Sequence, residues 1–422
     1  MEKSEKSEKQ PLPTGSDFFT VWLSAPPDRC TKRLLNLGDT FLSLFVISPL
    51  AIAHWRGTWD YMDQRPDKFP PWYCFILGGI IHTAFAMLRE PLHDEFSPPS
   101  NGNKSLLRTI RRIIITKLYT YIFSVGSIMH WRGGWAMMEL HLGPGVWPAV
   151  IVSFITLIPL LILKSLRNSL APPYIILMDS KDVAFIFPTR FRIEGARQPL
   201  LYVLDCCFSV LIVGSLVVFV WRGVWVFLDL VLYPSDPKLS AWYSLAIGYG
   251  IVFITFALQP VMRWTCEKLT GFWRLAIADV FLFFSFIGTV NAWRGIWQLL
   301  DNYFLPDQRA LSDWLTHGVC FILLALMNCA NTVLVRGVFL DAEEPGGKCV
   351  IFPVYYIRLY FQKERTKKNQ KALDSMENGE NTTLLLEKPA NNVVLVKNAS
   401  EKKSSNSHSE QKPLNNCEPN KK

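Results

Sequence analysis

Apolar runs about as long as a bilayer is thick decide what this chain can fold into. A helix that crosses the hydrocarbon core needs about 20 apolar residues. Such runs fall near 34–53, 72–88, 113–129, 146–163, 200–220, 242–262, 275–292 and 314–335. A helix of a soluble protein would carry a polar face, and residues 210–220 (VLIVGSLVVFV) have none. The chain is therefore expected to be all-α and polytopic, with eight transmembrane helices. Two polar stretches flank them, 1–33 and 361–422, rich in Lys, Glu, Ser and Asn. They hold too little apolar surface to offset chain entropy and are expected to be disordered tails. The net charge of +9 would suggest nucleic acid on a soluble protein. Here it fits loops that face anionic lipid, so the expected partner is the bilayer and not nucleic acid.

Orientation follows from Lys and Arg in the connecting loops. The loop after the second run holds Arg89, Lys104, Arg108, Arg111 and Arg112. The loop after the fourth holds Lys164, Arg167, Lys181, Arg190, Arg192 and Arg197, and the loop after the sixth holds Arg263, Lys268 and Arg274. These loops are read as cytosolic, which puts both tails inside the cell; the membrane is expected to be the plasma membrane. The sequons at Asn381 and Asn398 would then stay bare. Residues 1–32 lack an apolar stretch long enough for a signal peptide, so insertion would rely on the first membrane helix. Nine cysteines without a CxxC pattern suggest no disulfide framework. Cys30, Cys206, Cys207, Cys266 and Cys349 fall near the cytosolic face, as free thiols or palmitoylation sites.

A repeat organises the membrane region. Trp55-Arg56-Gly-Thr-Trp59, Trp131-Arg132-Gly-Gly-Trp135, Trp221-Arg222-Gly-Val-Trp225 and Trp293-Arg294-Gly-Ile-Trp297 each close an odd-numbered run. Four residues after the second Trp stands an acid: Asp63, Glu139, Asp229 and Asp301. A proline follows (Pro66, Pro144, Pro234, Pro306), and another Trp opens each even-numbered run (Trp72, Trp147, Trp242, Trp314). Four parallel two-helix repeats are expected, near 34–90, 111–168, 200–264 and 275–339, related by rotation about the membrane normal. Residues 174–189 and 337–354 are also alike: apolar residues, an acid, a polar turn, then Ile-Phe-Pro. They imply two four-helix halves, each ending in a small cytosolic strand–turn–strand element.

Two readings of the motif are open. Trp favours the membrane interface and Arg snorkels there, so WRGxW can be an outer anchor. An anchor, however, needs neither a fixed Gly nor a fixed acid. In a helix the two Trp share a face, while Arg and the acid lie about 10 Å apart along the axis. Pairing within one repeat is stretched, and pairing between neighbours is easier. The sharper reading is a structural belt of Trp, Arg and carboxylate that locks the repeats together. Gly allows a close helix approach, and Arg over a Trp face would add about 1 kcal/mol.

Asp39, Lys117, Asp205 and Asp279 precede the first Trp of the motif by 16, 14, 16 and 14 residues. That places these intramembrane charges about 21–24 Å inward, near the cytosolic edge. They read as a functional site, as residues reaching cytosolic water, or as an Asp–Lys pair. His54 and His130 precede only two of the four motifs, which argues against a catalytic or metal role. No HExxH, GxSxG, P-loop or dinucleotide fingerprint is present, so no enzyme activity, cofactor or metal is expected.

The eight-run plan with recurring WRGxW resembles the Fuseless family of neuronal multi-pass membrane proteins, over roughly residues 30–360. The resemblance implies a presynaptic protein that organises or supports voltage-gated calcium channels, or their trafficking machinery, in neurotransmission. It implies no catalytic residue. The other class of function is a transporter or channel with a solute path between the repeats, which predicts a polar lumen lined by Asp39, Asp205 and Asp279.

Overall fold

In a computed structural model of the chain, residues 29–96, 106–143, 145–179, 185, 187–335, 337–345 and 347–377 are described. Asn381, Asn398 and most of both polar tails lie outside them. Eight helices among the described residues form the apolar body: α1 (29–63), α2 (Pro71–Met87), α3 (Leu106–Leu142), α4 (Val146–Ile162), α5 (Pro199–Val231), α6 (Pro237–Lys268), α7 (Gly271–Tyr303) and α8 (Arg309–Leu326). Six of them (α1, α3, α5, α6, α7 and α8) are long and apolar enough to cross a membrane; α2 and α4 are apolar but only 17 residues long. Two polar helices lie outside this set, the short Arg89–Phe96 and the 21-residue Ile357–Glu377, which is helical in the first part of the stretch 361–422 expected to be disordered. The architecture is thus all-α and multi-pass.

The helix ends follow local chemistry. Proline sits in the first turn of α2, α5 and α6, where its missing N–H costs nothing. The Asp236 side chain caps α6 by accepting from the backbone N–H of Lys238 and Leu239 at 3.0 Å each. Tyr233 and Leu305 take left-handed backbone (φ 48° and 52°) just before Pro234 and Pro306. The sequence placed WRGxW at the close of each odd run. The odd helices instead continue through the motif and at least to its acid, because nothing there breaks helical hydrogen bonding until these turns. The last helix also ends earlier than the run 314–335 suggested: after Leu326 the chain leaves it through Asn328, at φ 59°.

The odd helices form an inner ring in which α1 touches α3, α3 touches α5, α5 touches α7 and α7 returns to α1. Even helices pack outside it. In their most apolar stretches α1, α3, α5 and α7 bury 44–56% of residues, against 17% for α6 and 28% for α8. The even helices show bands such as Ile151, Phe154, Ile155 and Ile158 to the exterior, a surface that suits lipid and not water. The tightest pairs are α2 with α3, α4 with α5, α6 with α7, and α8 with α1. Each even helix therefore packs on the odd helix that follows it, one step out of phase with the sequence repeat, and α8 closes the circle.

The motif glycines explain this pairing. A Cβ on Gly57 would stand 2.5 Å from the Asp313 carbonyl on α8, and one on Gly133 would stand 2.2 Å from the Phe75 backbone nitrogen on α2. One on Gly223 would meet Ser153 of α4 at 2.2 Å, and one on Gly295 the Leu245 backbone nitrogen of α6 at 2.5 Å. Each glycine seats the backbone of the outer helix directly on the inner one.

At the end opposite the motifs the ring gives way to two halves. α1 and α5 each contain a π-turn, Ser43–Ile47 and Phe208–Gly214. Short 3-10 turns, Leu166–Ser169 and Ala330–Val333, follow α4 and α8. The expected strand–turn–strand elements at 174–189 and 337–354 differ from what is described of them. Among the described residues, extended residues of each segment bond across the halves: Ile176 N–H donates to the Pro353 carbonyl at 3.1 Å, and Val338 N–H to the Pro188 carbonyl at 2.7 Å. Ile176 and Val354 form an isolated parallel bridge. Exchange gives each segment a buried partner that a two-strand hairpin on its own would lack.

Gly133→Ala should lower thermal stability in lipid nanodiscs, with a cost of about 1–3 kcal/mol from overpacking against backbone. Gly318→Ala, whose methyl group would meet nothing within 4 Å, should leave stability unchanged or slightly raised. Equal melting temperatures for the two variants would rule out the close-approach role of the motif glycine.

Candidate functional site: the tryptophan and arginine ring

The two tryptophans of each motif lie one helical turn apart on the inner face, so four helices build two layers. In the first layer Trp55, Trp131, Trp221 and Trp293 close a circle of edge-to-face contacts. Successive ring centroids are 5.4, 5.7, 5.4 and 5.5 Å apart, at interplanar angles of 74–84°. In the second layer Trp59, Trp135, Trp225 and Trp297 do the same at 5.6–5.9 Å and 86–89°. Edge-to-face geometry sets the positive rim of one ring against the negative face of the next, worth about 0.5–1.5 kcal/mol per pair beyond burial.

The arginines turn outward from the indoles, each toward the acid of the preceding odd helix. Arg132 Nε donates to Asp63 at 2.6 Å, Arg294 Nε to Asp229 at 2.8 Å and Arg56 Nε to Asp301 at 2.7 Å. The last of these joins the first motif to the fourth. The junction of α3 and α5 is looser: Glu139 acts on Arg222 through charge, and Arg222 Nε has no hydrogen-bond partner. Hydrogen bonds to the outer helices complete the shell, from Arg56 to Ser312 Oγ at 3.1 Å and from Arg294 to Ser240 Oγ at 2.7 Å. Among the described residues no motif arginine stacks on a tryptophan, so the expected cation–π contact is replaced by these ion pairs.

Arg56, Arg132, Arg222 and Arg294 are 1%, 4%, 2% and 1% exposed. Arginines that anchor at an interface keep the guanidinium in headgroups and water, and these do not. The tryptophans that open the even helices (Trp72, Trp147, Trp242 and Trp314) are more than half exposed and fit the anchor description instead. Sequence reasoning missed Asp60 and Asp313, which also face Arg56 at 3.5 and 3.6 Å. The available signal for Asp60 was its position right after the second Trp, where the other repeats have Ala136, Val226 and Gln298.

The intramembrane charges are brought together at the opposite end. Asp39 accepts from the backbone N–H groups of Tyr356 and Ile357, at 3.0 and 2.5 Å, and from Arg358 Nε at 3.3 Å. Asp205 accepts from the backbone of Phe191 and Ile193 at 3.0 and 3.2 Å. Lys117 pairs with Asp179. Asp179 caps the backbone N–H groups of Ala330 and Asn331, while Asp341 caps those of Leu166 and Arg167. Each half thus caps the 3-10 turn of the other. Burial pushes Asp341 up to about 6, against the pull of the two N–H groups it accepts from. Asp279 lies near Asp341 and Lys164, and among the described residues its Oδ1 has no hydrogen-bond partner.

These residues do not line the central space, contrary to the polar lumen that a solute path would need. A cavity of about 320 Å³ lies beneath the first tryptophan layer, walled by the four indoles and by residues 167–172 and 332–335. Trp55, Trp221 and Trp293 donate from their indole nitrogens to the carbonyls of Val333, Ser169 and Pro172 at 2.8–2.9 Å. A second cavity of about 190 Å³ is walled by all eight tryptophans with Asp60 and Asp63. Among the described residues no group of His, Cys, Asp and Glu could hold a metal ion. His54 instead bonds the His317 carbonyl and Ser124, and His130 bonds the Phe75 carbonyl. Cys206, Cys266 and Cys349 are buried, which closes them to acylation in the folded protein.

Coupling should run between helices. A double-mutant cycle of Arg132→Ala with Asp63→Asn, read by thermal unfolding, should show an interaction above about 1 kcal/mol. The cycle of Arg132 with Glu139, the acid of its own repeat, should give almost none. Asp229→Asn should cost on the order of 3 kcal/mol, because it strands the buried Arg294 charge. Additive behaviour for Arg132 with Asp63 would remove the inter-helix pairing as a source of stability.

No curated protein and no solved structure matches the chain. A family model described as Fuseless matches residues 34–334, which span all four motifs and all eight helices as far as the 3-10 turn after α8. With that match over well more than half of its length, the chain belongs to the Fuseless family.

Proposed function

We propose that this protein is a non-enzymatic, eight-pass membrane scaffold that organises or supports voltage-gated calcium channels at the presynaptic membrane. Family membership carries the channel association. The observation that carries the scaffold reading is the closed ring of indoles, braced by ion pairs at three of its four junctions, which narrows the axis where a solute path would run. On this reading the WRGxW belt is a structural lock between four two-helix repeats, with α2 and α4 crossing the bilayer as short helices. Arg56, Arg132 and Arg294 reach the close partners Asp301, Asp63 and Asp229 when the neighbouring helix sits in register, so the lock favours one arrangement of the repeats. The exposed apolar faces of α2, α4, α6 and α8 are then the surfaces that meet lipid and the transmembrane segments of a partner.

Both termini are placed in the cytosol by the positive charge of the loops after α2, α4 and α6. The transporter alternative draws on Asp39, Asp205 and Asp279. Two of these spend their oxygens on loop backbone, and none lines a central cavity.

Three measurements separate the readings. A C-terminal tag should stain only after the plasma membrane is permeabilised. Depletion from neurons should reduce presynaptic calcium-channel density, and wild-type protein should restore it. Purified protein in liposomes should pass no more ions than empty liposomes. Robust flux together with unchanged channel density would replace the scaffold by a transporter.

A further inference from the structure

We propose that the eight-indole cage binds a small organic cation of the quaternary or tertiary ammonium class, with Asp60 as its counter-charge. This goes beyond the scaffold reading and stands or falls apart from it.

The cage holds about 190 Å³. That is room for a trimethylammonium head group and too little for a drug-sized ligand, whose pockets start near 300 Å³. Its walls are indoles on every side, and the only charged groups that line it are Asp60 and Asp63. Indole is the best of the aromatic side chains at attracting a cation, and the attraction grows when water is excluded.

Asp60 has no part in the repeat. The belt closes without an acid at this position in the other three motifs. It is 8% exposed, and its Oδ2 accepts no hydrogen bond. The nearest positive groups are oversubscribed. Arg56 faces Asp301 at 2.7 Å, Asp60 at 3.5 Å and Asp313 at 3.6 Å. Arg309 is more than half exposed and reaches Asp60 and Asp301 only at 3.9 and 4.0 Å. Two guanidinium groups thus serve three carboxylates, and Asp60 holds only the long contacts to them. Arg132 takes up the charge of Asp63, whose carboxylate is half exposed. No basic side chain lines the wall, so an anion is disfavoured. Two carboxylates among indoles also fall short of the six to eight oxygens that calcium takes. A cation that needs little hydration and offers methyl groups to aromatic rings matches these walls.

The test uses full-length protein in lipid nanodiscs, titrated with tetramethylammonium and with choline at constant ionic strength. Binding is followed by calorimetry and by tryptophan fluorescence. Saturable binding is expected for both ions. The neutral isostere 3,3-dimethyl-1-butanol should bind at least about tenfold more weakly, equivalent to about 1.4 kcal/mol. Asp60→Asn, which keeps shape and removes charge, should weaken choline binding by a similar factor while its melting temperature without ligand stays near wild type. Trp225→Leu, on another helix of the cage, should weaken it as well and carries the test if Asp60→Asn does not fold. The proposal is overturned by the absence of saturable ammonium binding, by equal affinity for the neutral isostere, or by wild-type affinity in a folded Asp60→Asn.

Discussion

Everything at the motif end depends on four guanidinium groups held out of water. A buried charge is costly unless a counter-charge meets it with good geometry. The acid on the same helix lies seven residues on, about 10 Å along the axis, so it cannot serve. The acid of the preceding odd helix can, and in three junctions its Oδ1 meets the arginine Nε at 2.6–2.8 Å. α1 and α7 are each donor to one neighbour and acceptor to the other, while between α3 and α5 Arg222 and Glu139 interact through charge alone. A chain of such helices strands one arginine and one acid at its ends unless it closes, and the contact of α7 with α1 closes it.

The other residues of the motif answer the same arrangement in different directions. The tryptophans point inward and ring the axis in two layers. Glycine points outward, and its missing Cβ lets the even helix sit directly on the ring. Five residues of helix thus set contacts toward the centre, the neighbour and the lipid side. The even helices carry little of this specification, and their exposed faces are correspondingly plain Leu, Ile, Val and Phe.

At the far end the four-fold pattern reduces to two-fold. Among the described residues π-turns recur in α1 and α5, and these two helices carry the backbone-capping Asp39 and Asp205. Asp179 and Asp341 reach across to cap the opposite half. Buried backbone N–H groups need acceptors, and these carboxylates supply them where no helix or sheet does. The exchange ties α1 to the segment after α8, so the halves depend on each other for satisfied backbone.

The sequence by itself determined the class of fold and the identity of the belt. Apolar runs without a polar face allow little but membrane helices, and Trp is too uncommon for four WRGxW motifs with a trailing acid to arise without a shared role. It also favoured pairing between neighbours, since helix rise alone keeps Arg56 from Asp63. Tertiary structure decided which neighbour. Periodicity gives the face of a residue on its own helix and says nothing of the helix opposite, so the pairing of α2 with α3, and of α8 with α1, was not legible. Nor was the fate of Asp39 and Asp205, because a carboxylate that caps distant backbone has no signature beyond being a charge in an apolar run. The duplicated segments at 174–189 and 337–354 were legible as duplicates. Their exchange was not, because a local turn and a crossed pairing share the same alternation of apolar and polar residues, and only the packing of the two halves tells them apart.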